Sequence, residues 1–380
     1  MIMYSGLKRD FKGADLVRVA ANLQRLIVQL DRDVPSKDSE HNLLLATWNI
    51  RDFDKGKDGS DPAKSRFGNG PRLRETHYYI AEILSRFDFV AVQEINELDE
   101  WYRVMSILGR NWDFIATDVS DFGAGGNGER LLYLYDKRKV WFQNIAGEIV
   151  LPRKLLITEV EVPTDDDLAR GKQFRRSPFT AQFQSGWFKF DISTVHIFYG
   201  EDSGPQLQER VNEIDRIAQY LSKRAKQALK IGRGTILLGD FNIVNPNHKT
   251  MEALKRGGFV LPKALDRPSN LDMTKYYDQI AFITKKDVLD YIDRPAAIGE
   301  RANAGIFEIF ESVFRPEDFE TYRAAVVASS AGAKQAPEKL PKFYDDKWKT
   351  FQMSDHKPMW VRIKVNEAGP YLDKLATPIA

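Results

Sequence analysis

The sequence predicts a mixed α/β layered fold, because strands arrive both in hairpin-like clusters and in alternation with helices. Short apolar runs between turn residues mark the strands, and longer segments with apolar residues every three or four positions mark the helices. A chain of 380 residues is also long enough to bury a sizeable hydrophobic core.

The predicted elements run along the whole chain. Helices are expected over 14–30, about 72–86, and from Pro205 to near Gly232, since their apolar residues recur on one face. Strands are expected over 43–47, 88–93, 131–136, 179–183, 187–191, 193–198, 235–239, 276–283 and 359–365. The Gly-, Asp- and Lys-rich stretch 52–71 is predicted to be a loop.

We expect one domain over 1–380 that carries two additions. The first is an N-terminal helical extension of about 1–40. The second is a helical insertion of about 284–345, Ala-rich and charged, whose end SSAGAKQAPEKLP should be a flexible return. Either addition could cap a substrate cleft, dimerise or cover a sheet edge.

Composition excludes several classes of site. Cysteine is absent, so disulfides, thiolate metal sites and thiol catalysis are excluded. The net charge is only +2, from 56 basic and 54 acidic residues, and any affinity for a polyanion must therefore come from local patches. No apolar run approaches the roughly 20 residues that span a bilayer, and the N-terminus lacks the apolar core of a signal peptide. We therefore expect a cytoplasmic protein without a membrane span.

Polar side chains follow or precede several apolar strands, at the sheet edge where α/β folds usually bind ligands. They are Asn49, Glu94, Asp240 and Asn242, with Asp355 and His356 before the last strand. Taken singly, such a residue is usually a turn or a cap. Oxygen ligands without cysteine suit a hard cation, Mg²⁺ with Mn²⁺ or Ca²⁺ as alternatives. A hard metal beside histidine suits phosphoester cleavage.

Five segments occur in an order that carries a resemblance. They are TWNI (47–50), VQEI (92–95), GDFN (239–242), YDQI (277–280) and SDHKP (354–358). As a set they resemble the signature blocks of the endonuclease/exonuclease/phosphatase superfamily, with deoxyribonuclease I the nearest in pattern. The resemblance implies a four-layer α/β/β/α sandwich of two mixed β-sheets flanked by helices.

The resemblance also implies roles for the matched oxygen ligands. Glu94, Asn49 and Asp355 match the metal-site residues of the family. Asp240 and Asn242 match the pair that positions the nucleophilic water and the phosphate.

Two histidines match the acid–base residues of the family. His356 resembles the general base and Asp278 the carboxylate that orients it. Asp355 is badly placed to orient its neighbour, because adjacent residues in a strand point to opposite faces. His196, in STVHIF, resembles a second active-site histidine, and Glu129, in GERLLYLYD, resembles the glutamate that orients it. Outside the family, His196 and Glu129 would be interpreted as a structural histidine and a solvated loop charge.

A cationic stretch is the candidate phosphate contact. Arg176, in RRSPF, resembles the arginine of an Arg-x-Pro element that contacts substrate phosphate, and it ends the cationic run RGKQFRR. The alternative is a solvated charge run balanced by the acidic residues 165–167. The predicted loop and its flank, 52–74, add the cations Lys55, Lys57, Lys64, Arg66, Arg72 and Arg74.

The sequence thus predicts a divalent-metal-dependent endonuclease whose substrate is DNA, with RNA as a second nucleic-acid substrate. The nearest alternative keeps the chemistry but acts on a phospholipid, a phosphoinositide or another small phosphoester. A lipid-active enzyme should show apolar loops near the site, and the loops here are polar and cationic. A third alternative is a non-catalytic binding module, which should have lost a histidine or a metal carboxylate.

Overall fold

The computed structural model describes residues 2–38, 40–53, 68–119, 128–297 and 300–376. The strands within these ranges are β1 (Asn42–Phe53), β2 (Phe89–Ile95), β3 (Trp112–Ala116), β4 (Arg130–Asp136), β5 (Trp141–Glu148), β6 (Phe179–Ser185), β7 (Phe188–His196), β8 (Arg233–Asp240), β9 (Asp278–Ile283), β10 (Ala304–Ile306) and β11 (Met359–Lys364). The α-helices are α1 (Leu7–Asp10), α2 (Gly13–Asp33), α3 (Arg74–Ser85), α4 (Leu98–Leu108), α5 (Asp165–Ala169), α6 (Gly204–Lys230), α7 (Lys249–Arg256), α8 (Lys286–Ile292), α9 (Phe319–Ala328), α10 (Leu340–Phe343), α11 (Lys349–Gln352) and α12 (Ala368–Ala376).

The strands form two mixed sheets. The first has the order β10-β11-β1-β2-β4-β3, in which β1 and β2 are parallel and the other neighbours antiparallel. The second has the order β5-β6-β7-β8-β9, in which only β7 and β8 are parallel. Each parallel pair lies at the middle of its sheet.

Residues that alternate along the strands pack the two sheets against each other. Leu43 and Leu45 of β1 and Ile236 and Leu238 of β8 belong to one buried cluster between the sheets. Successive side chains of a strand point to opposite faces, so the residues between them face outward. Residues 43–46 of β1 and 236–238 of β8 are apolar at every position, because both faces of these strands are covered there.

Helices cover the two outer faces. On the first sheet, Leu44 and Trp48 share a buried cluster with Val19 and Leu26 of α2. On the second sheet, Leu237 shares another with residues of α6 and α7. The layers are helix, sheet, sheet, helix, and the predicted four-layer sandwich of two mixed β-sheets is confirmed.

Several elements differ from the sequence prediction. The two strands expected over 187–198 are one strand, β7, because Asp191 lies at a half-buried position without interrupting the ladder. Strands β3, β5 and β10 and helices α4 and α7 were missed. In β5, an edge strand, most side chains are exposed, and apolar alternation is consequently absent.

The two expected additions pack into the fold. Helix α2 buries its apolar stripe against the first sheet. In the second addition, β10 extends the first sheet beside β11, and Val313, Val326 and Trp348 join the same cluster as α2. The expected flexible return contains two 3₁₀ turns, Gly332–Lys334 and Pro337–Lys339, and Ser329 is buried beside them.

None of the helices that the structure describes is long and apolar enough to cross a lipid bilayer.

The packing between the sheets predicts a large difference between two isoleucines of the second sheet. Ile192 of β7 is completely buried, whereas Ile145 of β5 is 57% exposed. We expect Ile192→Ala to lower the free energy of unfolding by about 2–5 kcal/mol, because it leaves a cavity between the sheets. The matched control Ile145→Ala should cost less than about 1 kcal/mol. Urea denaturation followed by circular dichroism measures both, and equal losses would contradict the assigned packing.

Candidate active site

The polar residues at the sheet edges lie on the same strand faces as the alternating apolar residues that pack the two sheets together. Asn49 follows Leu43 and Leu45 at even steps along β1, and Asp240 follows Leu238 along β8. His196 ends β7 in the same way. Strand alternation therefore carries these side chains to the rim of the inter-sheet space, where the apolar core gives way to polar groups.

Glu94 reaches this rim by a different route. Strand alternation places it on the helix-covered face, opposite to Gln93. Its φ of 63° lies in the left-handed region, and the pairing of β2 with β4 shifts register between Val92 and Ile95. Such a bulge re-aims a side chain, and the Glu94 carboxylate consequently lies beside Asn49, whose Nδ2 is 2.7 Å from Glu94 Oε1.

A polar bridge joins the two sheets next to the rim. The Gln93 amide donates to Thr194 Oγ1 of the second sheet at 2.8 Å and to Thr47 Oγ1 of the first at 3.2 Å. All three side chains are buried. Because an unpaired buried amide would be costly, this contact fixes the separation and register of the sheets where the candidate site begins.

The GDFN segment needs its glycine. Gly239 has a φ of 125°, and a Cβ at this position would collide with the carbonyl oxygen of Val195 on β7. Asp240 Oδ1 then accepts the backbone N–H of Asn242 at 2.9 Å, and Asn242 adopts a left-handed φ of 52°. Asn242 Nδ2 donates to the carbonyl oxygen of Ile197 at 2.7 Å. The turn thereby holds Asp240 and Asn242 on one rim.

Asn49 connects carboxylates of both sheets. Its Nδ2 donates to Glu94 and, at 3.1 Å, to Asp240 Oδ2, while its oxygen accepts the N–H of Arg51 at 2.8 Å. Asn49 thus offers its amide N–H₂ rather than its oxygen to the carboxylates. Its assignment as a metal ligand stays a prediction.

One ring nitrogen of His356 is hydrogen-bonded to a carboxylate, and the other points toward Asp240. Its Nδ1 lies 2.8 Å from Asp278 Oδ2, and its Nε2 lies 3.7 Å from Asp240 Oδ2. The Ser269 hydroxyl donates to the same Asp278 oxygen at 2.6 Å and accepts the Asp278 backbone N–H at 3.0 Å. A carboxylate at Nδ1 fixes the orientation of the ring and turns Nε2 toward the rim.

His196 also has a carboxylate beside Nδ1, but as an ion-pair contact rather than a hydrogen bond. Its Nδ1 lies 3.0 Å from Glu129 Oε1, and its Nε2 lies 3.5 Å from Asp240 Oδ2 and 3.6 Å from Glu94 Oε1. Arg176 forms an ion pair with the same Glu129 oxygen. Both histidines therefore have a carboxylate at Nδ1 and turn Nε2 toward Asp240.

The two histidines have pKa values shifted in opposite directions. Burial and the nearby Arg176 charge lower the pKa of His196 to about 4. Burial alone would lower the pKa of His356 too, but Asp278 and Asp240 outweigh it and raise that pKa well above the ordinary value. Without substrate, His196 is therefore neutral and His356 charged at neutral pH. Opposed shifts in one site are typical of an acid–base pair.

The acidic groups of the site are shifted as well. Burial raises the pKa of Glu94, but the His196 charge and hydrogen bonds from Asn49 and the Asp52 N–H outweigh it and lower that pKa to about 2. Burial raises the pKa of Asp240. Glu94 is thus a fixed negative charge, and Asp240 lies between both histidines.

Asp355 does not touch these carboxylates in any contact that the described residues show. Its Oδ2 lies 3.1 Å from Arg51 Nη1, and its side chain is about one-third exposed. The Arg51 guanidinium also packs over the ring of Phe351, 3.9 Å from its centroid. Like the role of Asn49, the role of Asp355 at a metal stays a prediction.

The expected cationic loop is largely neutralised by the protein itself. Arg175 makes a two-pronged ion pair with Glu209, at 2.9 and 3.0 Å, and Lys172 lies 3.4 Å from Glu159. Arg176 is buried against Glu129. These partners are not the acidic residues 165–167 that the sequence suggested.

The second expected group of cations falls partly outside the described residues, which exclude Lys55, Lys57, Lys64 and Arg66. Arg72 donates to the backbone carbonyl oxygens of Ile50 and Phe351, and Arg74 pairs with Asp10 at 3.4 Å.

Several residues that were not predicted as site residues hold His356 in place. Ser354 Oγ accepts the His356 backbone N–H at 2.9 Å and donates to the Asn49 carbonyl oxygen at 2.6 Å. Trp48 Nε1 donates to the His356 carbonyl oxygen at 3.0 Å. Ser354 and Trp48 lie inside the quoted motifs, which was the available signal. Ser269 lies in no motif, and nothing in the sequence indicates its contact with Asp278.

Two groups of side chains could each hold a metal ion. One is Glu94, Glu129 and His196, and the other is Asp240, Asp278 and His356, with ligand atoms within 4.8 Å of one another in each group. Carboxylate oxygens dominate both groups, which is the donor chemistry of Mg²⁺, Mn²⁺ and Ca²⁺.

The ion pair at His356 predicts a measurable titration change. Asp278→Asn removes the negative charge but keeps an oxygen acceptor, so the pKa of His356 should fall substantially as burial prevails. Nuclear magnetic resonance (NMR) titration of the histidine ring protons in the presence of a chelator measures this. His41 and His77, which lie beside Asp38 and Glu100, provide internal controls. An unchanged pKa would show that Asp278 does not charge the ring.

No family model matches the chain. A protein called deoxyribonuclease from Thioalkalivibrio sp. (strain K90mix) is 28% identical over 213 residues, which are 54% of this chain and 48% of that protein. The chain thus spans about half the length of that curated relative.

Solved structures that align with this chain include two endonuclease/exonuclease/phosphatase family proteins. The one from Bacteroides thetaiotaomicron is 16% identical, with 86% of this chain and 98% of that chain covered and a TM-score of 0.47. The one from Bacteroides vulgatus is 14% identical, with 86% and 99% covered and a TM-score of 0.47. Both carry the name of the family that the five ordered sequence blocks resemble.

Proposed function

We propose that this protein is a divalent-metal-dependent phosphodiesterase, and specifically an endonuclease that hydrolyses nucleic acid, with DNA as its main substrate. The observation that carries the proposal is the convergence of two carboxylate-bound histidines. Nε2 of His196 and Nε2 of His356 lie 3.5 and 3.7 Å from the same oxygen of Asp240. Two imidazoles around one point suit a reaction that takes a proton from one oxygen and supports charge on another.

The proposal assigns one half of the reaction to each histidine. His356 takes a proton from water, and the water oxygen attacks phosphorus while the bond to the 3′ oxygen breaks. His196, with Asn242, binds the phosphoryl oxygens, and the leaving 3′ oxygen takes a proton from His196. Asp240 lies between the two imidazoles and orients the water. The atoms balance as one water consumed and one phosphodiester bond broken.

Substrate must change the charge state of the resting site. Without substrate, the pKa directions leave His196 neutral and His356 charged, the reverse of these roles. An anionic phosphate beside His196 raises its pKa, because an opposite charge favours the protonated form. The proposal therefore requires that His196 gain a proton when substrate binds, and that His356 lose its proton before it accepts one from water.

The residues present fit a divalent cation. Glu94 keeps its negative charge, and Asp278 Oδ1 is buried without a hydrogen-bond partner among the described residues. We assign Glu94, Asn49 and Asp355 as the residues that would hold Mg²⁺, or Mn²⁺ or Ca²⁺ in its place; Asn49 would then have to turn its oxygen toward the ion, and Asp355 would have to leave Arg51. A cation bound there would neutralise phosphoryl oxygens and offset the carboxylates around His356.

The choice of nucleic acid rests on the sequence blocks and on the deoxyribonuclease name of the curated relative. One observation favours a second candidate, hydrolysis of a phospholipid, a phosphoinositide or another small phosphoester. Arg175 and Arg176 already pair with Glu209 and Glu129, so they do not form a free clamp for a phosphate backbone. The chemistry of the two histidines is the same for both candidates.

Cleavage of supercoiled plasmid tests the proposed activity. We expect the wild type to nick plasmid in Mg²⁺ and to stop when EDTA is added. His356→Ala should lower the rate by about 10²–10⁴-fold, the usual contribution of a general base. The control His41→Ala removes an exposed histidine and should cleave at the wild-type rate.

The alternatives give different results when lipid and sugar phosphates are assayed beside plasmid. Release of phosphate from lipid or sugar phosphates, with no cleavage of DNA or RNA, would contradict the nuclease and support the second candidate. A protein that binds DNA without cleaving any phosphoester would be a binding module.

The pair His196–Glu129 can be tested separately. Glu129→Gln keeps the shape of the side chain but removes its charge, so we expect kcat to fall about tenfold or more with an altered pH profile. Glu148→Gln is the control, because Glu148 lies exposed on β5. A pH–rate profile identical to that of the wild type would overturn the assignment of Glu129.

A further inference from the structure

The ring of His356 is in contact on its face as well as at its Nδ1 edge. Tyr277 stacks on it, with ring centroids 5.5 Å apart and an angle of 29° between the ring planes. Asp278 holds Nδ1 but leaves the ring free to tilt about that single hydrogen bond. A stacked neighbour limits this tilt, so Tyr277 and Asp278 together fix where Nε2 points.

Tyr277 is supported in turn by Tyr199. The two rings meet edge to face, with centroids 6.2 Å apart and planes at 85°. The Tyr199 hydroxyl lies 2.9 Å from both carboxylate oxygens of Asp202 and can donate a hydrogen bond to either. Tyr199 is thereby tied at its far end, and its ring edge is presented to Tyr277.

Arg210 packs against the face of the Tyr199 ring. Its side chain is completely buried in α6, and its guanidinium lies over the Tyr199 ring, 4.6 Å from the centroid. Its Nη2 lies 3.3 Å from the Glu201 carbonyl oxygen and 3.3 Å from Asp202 Oδ1. Burying a charge is costly unless it is paired, and these contacts therefore tie the segment 199–202 to the helix.

A second buried side chain of α6 holds the same segment. Glu213 Oε2 accepts the backbone N–H of Phe198 at 3.3 Å. The preceding residue, Ile197, supplies the carbonyl oxygen that accepts from Asn242. The segment between His196 and α6 is thus fixed at several points, and it touches both sides of the candidate site.

We propose that Tyr277 and Tyr199 are positioning residues for His356, and that Arg210 holds Tyr199 in place. Tyr277 acts through the imidazole and Tyr199 acts through Tyr277. The inference rests on the proposed function in one respect, namely that His356 is the general base. The competing explanation is that Tyr277 stacks on the substrate itself.

Kinetics separates the two explanations. Tyr277→Phe keeps the stacked ring and should retain wild-type kcat. Tyr277→Leu should lower kcat about tenfold or more with little change in KM, since small misplacements of a reacting group are costly. Tyr199→Leu should act in the same direction, and Tyr199→Phe, which keeps the ring but loses the contact with Asp202, should have a smaller effect. A rise in KM with unchanged kcat would overturn the proposal in favour of substrate stacking.

A double-mutant cycle gives a sharper test. In a His356→Ala background, Tyr277→Leu should have no further effect on kcat, because the residue it positions is gone. Independent effects that multiply would show that Tyr277 acts by another route.

A spectroscopic readout keeps the test independent of activity. The chain has only five histidines, so His356→Ala identifies the ring resonance of His356 in an NMR spectrum. Tyr277→Leu should move that resonance downfield through loss of the ring current, and Tyr199→Leu should shift or broaden it. Unchanged resonances would contradict the positioning role of Tyr277 and Tyr199, even if the protein cleaves plasmid. If the resonances shift but the protein cleaves no phosphoester, the contact of Tyr277 with His356 is supported and the proposed function is contradicted.

Discussion

The face-to-face packing of the two sheets is the constraint on which the rest of the structure depends. Leu45 of β1 and Leu238 of β8 belong to the core between the sheets, and two positions beyond Leu238 the same series reaches Asp240. Strand alternation has a period of two, so a residue that faces the core at one position commits every second residue to that face. A shift of one residue would bury the wrong set and carry the site residues to the helix-covered side. The bridge from Gln93 to Thr47 and Thr194 holds the register at the point where apolar contact ends.

Placement at this rim makes the site groups buried, and burial makes their pairing obligatory. Each histidine meets this need with a carboxylate from a remote part of the chain, Glu129 for His196 and Asp278 for His356. The left-handed conformation of Glu94 follows from the same need, because regular strand geometry would point its side chain to the helix-covered face; Asn242 is left-handed too, within the turn that follows β8. Strain at these two positions is compensated by hydrogen bonds to Asn49 and to the carbonyl oxygen of Ile197.

Local patterns in the sequence predicted what local physics determines. Both long helices, α2 and α6, and the central strands of the sheets were predicted because their apolar residues alternate or recur with a clear period. The exposed edge strand β5 was missed because it has no buried face to impose one. Within the site, the matched blocks include Asn49, Asp240 and His356, which the structure brings together. Contacts such as that of Ser269 with Asp278 could not be predicted, because they depend on the path of the irregular segment that leads into the start of β9.

The partners of the cationic run RGKQFRR could not be predicted from the sequence. Read as a string, it offers free cations to a phosphate backbone, but Arg175 pairs with Glu209, 34 positions away, and Arg176 with Glu129, 47 positions away. No local pattern indicates either partner. Arg176 instead lies on the carboxylate that holds His196, where burial and the Arg176 charge lower the pKa of that histidine. The Arg176 charge thus acts on His196 itself, and removing that charge would change the acid–base balance of the site as well as any contact with substrate.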